Sequence, residues 1–124
     1  MQNSILLTIK QMLGIPSEYS VFDEELIVYI NTVIAALRQL GVGPENGFAI
    51  TGENDSWEDY IGDTSMYENV KSYIYLKVRM MFDPPSSSFV LEAFKNQAAE
   101  IEWRIYIQAD EDKDEGENNA GQNG

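Results

Sequence analysis

Five carboxylates in one stretch, Glu53, Asp55, Glu58, Asp59 and Asp63, are the residues best suited by type to do chemistry. Calcium takes about six to eight oxygens from a loop of set spacing. The local run Asn54-Asp55-Ser56 lacks the glycine at the sixth position and the closing glutamate of such a loop. Helix capping accounts for Asp55, and for Ser65 further on, without a metal. Two carboxyls about 5–10 Å apart can also cleave a glycosidic bond. With 21 Asp and Glu in the chain, chance pairs are expected and none is singled out. There is no histidine, hence no imidazole base or ligand, and no Ser-His-Asp or Cys-His arrangement. There is no cysteine, which removes disulfides, thiolates and Cys-based zinc sites.

The aromatic residues suggest a different chemistry. Tyr67, Tyr73, Tyr75 and Tyr106, with Trp57 and Trp103, are of the type that stacks on bases. Such platforms lie in basic grooves. Here Lys and Arg total 8, and the formal net charge is −13. A chain of that charge repels phosphates and anionic membranes. The glycines form neither a G-x-G-x-x-G nor a P-loop pattern. The residues therefore predict no catalytic group, no cofactor and no metal, and the chain is not expected to be an enzyme.

What these residues sit on is mostly helix. Residues 3–13 carry Ile5, Ile9 and Met12 at helical spacing; Gly14 suits a left-handed cap, with Ile15 folding back and Pro16 barring continuation. Residues 23–40 form the clearest helix, with Asp23 as its cap, Phe22 and Ile27 as a hydrophobic staple, and a stripe of Leu26, Ile30, Val33, Leu37 and Leu40. Gly41 ends it, and Val42 is placed to pack back on Leu37. Residues 42–64 are irregular. Phe48 to Thr51 is a candidate short strand, and residues 55–61 a single helical turn with Asp55 and Glu58 spaced as a cap pair. A loop this long in a small domain is usually functional or mobile. Residues 66–82 follow a Ser65/Glu68 capping box and are apolar on more than one face, as expected of a central or interfacial helix; Asp83-Pro84-Pro85 stops them. Residues 87–108 form the last helix, with Phe94, Ala98, Ile101 and Ile105 on one stripe and a Glu100/Arg104 pair.

The expected fold is all-α: a compact bundle of about four helices with a long irregular loop between helices two and three. One domain spans 1–108. Apart from Ala109 and Ala120, no aliphatic or aromatic residue follows Ile107, and Asp110 to Glu115 is a charge run. Residues 109–124 are thus expected to be a disordered acidic tail, either an interaction arm or a solubilising one. No signal peptide or spanning segment is read, so the default compartment is cytoplasmic. Trp57, Tyr60 and Ile61 are expected to anchor the loop to the core, and apolar surface exceeds what one core absorbs on residues 66–82 and at the end of the last helix. The candidate protein interface is Trp57, Tyr60, Tyr73, Met80, Trp103, Tyr106 and Ile107.

Several runs carry a family likeness. They are Leu13-Gly14-Ile15, Phe22-Asp23, Gln39-Leu40-Gly41-Val42-Gly43-Pro44, Trp57-Glu58-Asp59-Tyr60-Ile61-Gly62, Val70 to Arg79, Phe82-Asp83-Pro84-Pro85, Ser88 to Glu92 and Glu102-Trp103-Arg104. As an ensemble, from Ile5 to Gln108, the chain resembles the head–tail connector (adaptor) proteins of tailed bacteriophages and prophages. That resemblance implies a helical subunit of a ring of about twelve copies under the portal protein, at the virion neck. The ring extends the DNA channel and receives the next neck or tail component; the C-terminal helical region contacts the portal, and assembly takes place in the bacterial host cytoplasm. It implies no catalysis and no cofactor. An acidic channel wall lets DNA pass without specific binding. The alternative from charge alone is an acidic DNA mimic of phage origin that inhibits a basic partner.

Overall fold

The computed structural model describes residues 3–122, and the described part is five helices with no strand or sheet. Helix α1 (Ile5–Met12) is capped by Ser4, whose Oγ accepts from the Leu7 N–H at 3.2 Å. Its end is a Schellman turn: Gly14 has φ +80, its N–H reaches the Gln11 carbonyl, and the Ile15 N–H reaches Lys10. Helix α2 (Asp23–Gln39) ends in the same way, with Gly41 at φ +93 and the Val42 N–H bonded to Leu37 at 3.1 Å.

The caps of three helices differ from the sequence expectation by one residue each. Phe22, not Asp23, is the cap of α2 and makes no side-chain cap bond. Asp23 opens the helix and turns its carboxylate to Lys10 instead, at 2.9 Å. Helix α3 (Trp57–Ile61) is capped by Ser56, whose Oγ accepts from the Asp59 N–H at 3.0 Å. Asp55 is drawn away by the loop before it. Helix α4 (Tyr67–Phe82) starts after Met66, without a side-chain cap bond from Ser65. Ser65 Oγ pairs with Gln108 on the last helix, and Thr64 Oγ1 accepts from the Met66 N–H. Each expected capping side chain is claimed elsewhere, Asp23 and Ser65 by tertiary partners and Asp55 by its own turn.

Helix α5 (Ser88–Gln122) runs on past residue 108, where the apolar pattern stops. Adding a residue to a formed helix costs far less than nucleating one, and Ala, Glu, Lys and Gln are good helix formers. Residues 123 and 124 of the expected tail lie outside the described residues.

Helix α4 lies in the middle and packs against α2 on one side and α5 on the other, while α1 packs on α2 and α4. That position explains why its burial wraps round it, from Val70, Ile74 and Val78 to Tyr73 and Leu76. The α2 stripe Leu26, Ile30, Val33, Ile34 and Leu37 and the α5 stripe Ala98, Ile101 and Ile105 complete the core.

The candidate strand at Phe48 to Thr51 does not pair with another strand. Its place in the core is held by a side chain. The Ile50 N–H donates to Asn31 Oδ1 at 2.7 Å, and Asn31 Nδ2 donates to the Ile50 carbonyl at 3.0 Å. One amide thus satisfies both backbone groups that a neighbouring strand would have satisfied. The single β-bridge among the described residues joins Ser4 to Ser56 and ties the start of α1 to the start of α3.

Candidate assembly surface

The loop carboxylates do not converge. Asp55 Oδ2 accepts from the Thr51 N–H at 2.6 Å and the Gly52 N–H at 3.2 Å, closing its own turn. Glu53, Glu58, Asp59 and Asp63 are exposed. Among the described residues no three acidic groups are placed to share a cation.

Three of the seven candidate interface residues are withdrawn from the surface. Trp57, Tyr60 and Tyr73 are only 3%, 2% and 4% exposed. Trp57 Nε1 donates to Thr8 Oγ1 at 3.0 Å, and that hydroxyl donates to the Ser4 carbonyl at 2.6 Å. The indole and the Tyr67 ring also meet edge-to-face, centroids 5.4 Å apart. Tyr60 stacks on Phe48 at 5.0 Å. A buried aromatic with these partners is a loop anchor; exposing it to a partner protein would break the core. The reason it looks available in the sequence is that irregular segments carry no periodicity to show which residues turn inward.

Burial also shifts acid–base behaviour. Desolvation pushes the Tyr60 hydroxyl well above its ordinary value of 10.0, and this hydroxyl makes no hydrogen bond. Tyr73 is raised by burial and by the nearby Glu102 carboxylate, which disfavours the phenolate. Neither group is poised for proton transfer near neutral pH.

The sequence also conceals an ion pair. Lys10 is 1% exposed, ion-paired with Asp23 and donating to the Ser17 carbonyl at 3.0 Å. Lys10 follows Leu6 by four positions, on the apolar side of α1, and that spacing is the signal that it is covered. The pair locks the Gly14–Phe22 connection to both helices.

The other four candidates occupy two places. Trp103, Tyr106 and Ile107 are 62%, 49% and 36% exposed near the middle of α5. The Trp103 and Tyr106 rings stack at 6.0 Å and 24°. With Arg104, Gln108 and Glu111, Trp103 and Ile107 shape a shallow depression. Met80 is half-buried in a longer groove that α4 floors between α2 and α5, walled by Thr32, Val33 and Ala36 on one side and Lys95, Ala98, Ala99 and Glu102 on the other. The most exposed apolar residues outside the expected set are Phe89 at 83%, Val21 at 71% and Val28 at 61%. Val28 falls one position off the α2 stripe; Phe89 precedes the packed part of α5. Isolated exposed apolar residues are ordinary, whereas a stacked tryptophan–tyrosine pair beside an isoleucine is a contiguous patch.

A helical body that carries a contiguous exposed apolar patch on its last helix is suited to fit against other proteins. Comparison with known families agrees: the family model described as phage connector protein matches residues 5–112. The chain belongs to the phage connector protein family. No curated protein and no solved structure matches it. The matched span covers α1 to α4 and the part of α5 that packs on α4 and carries Trp103, Tyr106 and Ile107. Membership gives the chain a structural connector role among the head and tail proteins of a phage, as a component of the virion, in a family that is structural and not known for enzymatic activity. No helix among the described residues is long and apolar enough to cross a membrane.

Proposed function

We propose that the chain is one subunit of a head–tail connector ring of about twelve copies, docked under the portal, where it extends the DNA channel and receives the next neck or tail component. The observation that carries this reading is the exposed apolar surface of α5, Trp103, Tyr106 and Ile107, on a chain of the connector family. A ring subunit needs two different, complementary faces. The stacked patch supplies one, and the groove between α2 and α5 supplies a second on another face of the molecule. The exposed carboxylates of the body, among them Glu24, Glu25, Glu58 and Asp59, suit a wall past which DNA slides without adhering. Assembly belongs to the bacterial host cytoplasm, and the finished subunit to the virion neck. The segment 109–124 is separable from the folded body.

The DNA-mimic alternative has less support. A mimic recognises a basic partner through carboxylates, whereas the most exposed distinctive features here are aromatic and aliphatic.

The test is co-assembly. Purified chain mixed with portal particles is followed by sedimentation and electron microscopy. A stoichiometric added ring below the portal is expected. Trp103→Ala/Ile107→Ala, which removes exposed groups and leaves the core intact, is expected to weaken or abolish its incorporation. A chain that stays monomeric and never joins portal particles refutes the reading.

A further inference from the structure

The chain has 8 basic residues against 21 acidic ones, so an unpaired cation is unexpected in it. Most of the basic residues whose side chains are described are committed. Lys10 pairs with Asp23, Lys71 with Glu68, Arg79 with Asp83 and Arg104 with Glu100. Arg38 donates to the Glu45 carbonyl at 3.0 Å. Lys77 and Lys95 alone, among those described, have neither an ion pair nor a hydrogen bond, and both line the groove between α2 and α5. The rest of that groove is largely apolar: Val33, Ala36, Met80, Met81, Ala98 and Ala99. Its one carboxylate, Glu102, is turned to the Tyr73 hydroxyl.

A ridge of opposite character runs along α5. Trp103 and Ile107 are four apart and share a face, and Asp110 and Glu111 continue it one turn further. Both carboxylates are exposed and neither is paired among the described residues. Around the helix, at 100° per residue, Trp103 and Ile107 lie about 80–180° round from Lys95, Ala98 and Glu102, while Ala99, four residues before Trp103, stands at the border between ridge and groove. One chain therefore carries an apolar ridge ending in two carboxylates and an apolar groove holding two unpaired lysines, on adjoining faces that meet near Ala99.

We propose that the occupant of the groove is the α5 ridge of a second copy of this chain. Trp103 and Ile107 lie over Met80, Met81 and Ala99, and Asp110 and Glu111 meet Lys77 and Lys95. Such a contact is head-to-tail and repeats from subunit to subunit, so it closes a ring or continues as a filament. The proposal rests on the connector reading for its setting and names the surfaces by which neighbouring subunits meet.

The absence of cysteine makes the test direct. Ala99→Cys marks the groove and Ile107→Cys marks the ridge. Within one chain the two positions are eight residues apart on one helix, about 12 Å along its axis, beyond the roughly 7 Å a disulfide spans. Any bond between them therefore joins two chains. The full-length double variant is oxidised as concentrated purified protein and within portal-bound particles. A ladder of cross-linked multimers is expected in at least one setting, and a mixture of the two single variants should give a dimer that neither gives alone. Lys77→Glu/Lys95→Glu should abolish the ladder, and adding Asp110→Lys/Glu111→Lys should restore it. No ladder in either setting overturns the proposal. So does a dimer of Ala99→Cys alone, which means groove-to-groove contact, or a cross-link to the portal protein instead. A ladder in solution from a chain that never joins portal particles leaves this contact standing and sinks the connector reading.

Discussion

Asn31 is the residue whose loss best tests how the irregular loop is held. Its amide accepts from the Ile50 N–H at 2.7 Å and donates to the Ile50 carbonyl at 3.0 Å. Ile50 is 1% exposed. Asn31→Ala leaves both backbone groups without a protein partner. Each unpaired buried group costs about 1–3 kcal/mol, and water can reach the loop edge at exposed Thr51, so the total should fall at about 2–3 kcal/mol. For a domain of this size that lowers Tm by about 10 °C. Asn31→Asp sharpens the test. The ionised carboxylate can accept from Ile50 but cannot donate, and it sets a charge against the carbonyl. Only the protonated acid reproduces both bonds. Its folded pKa is therefore raised above the ordinary carboxylate value of about 3.9. A raised folded pKa means the stabilisation is complete below the unfolded pKa and is lost as pH rises through the folded one. Urea unfolding of Asn31→Asp, compared with the parent at each pH, should show a deficit near neutrality that shrinks towards pH 4. A deficit below about 0.5 kcal/mol for Asn31→Ala, or a pH-independent one for Asn31→Asp, refutes the account of the loop.

Tyr60→Phe removes a buried hydroxyl that makes no hydrogen bond, and should leave the protein equally stable or about 1 kcal/mol more stable in urea. Because the Tyr60 pKa is raised in the fold, stability falls as pH climbs above 10.0, and the Phe variant should resist alkaline unfolding better than the parent, as read by circular dichroism. Gly43→Ala should destabilise by about 2 kcal/mol or more: Gly43 has φ +89, and an added Cβ would sit 2.8 Å from the Tyr60 ring, so a thermal melt unchanged within error would count against the loop packing described. A chain ending at Asp112 should melt within about 2 °C of the full chain in calorimetry, since the packing of α5 on the body ends near Gln108 and Ala109; a large drop would show that the distal segment stabilises the fold.

The sequence by itself determined the helices and the stops of α1 and α2. The stripes on α2, α4 and α5 follow from 3.6-residue periodicity, and the stops at Gly14 and Gly41 from the left-handed conformation that glycine adopts freely, both being local properties. It also pointed to the family, because the ensemble of short runs spans nearly the whole folded body. Tertiary structure alone decided which side chains those elements would spend on one another. Asp23, Asp55 and Ser65 carry the right chemistry for caps, yet each is taken by a partner distant in sequence or by its own turn: Lys10, the Thr51–Gly52 amides and Gln108. Trp57, Tyr60 and Tyr73 have the composition of an interface and the location of a core, while Trp103 and Ile107, of the same chemical type, remain outside. Residue type determines what a side chain can offer. Whether water or a partner receives the offer depends on which helix lies over it, and that is known only once α4 has been placed between α2 and α5.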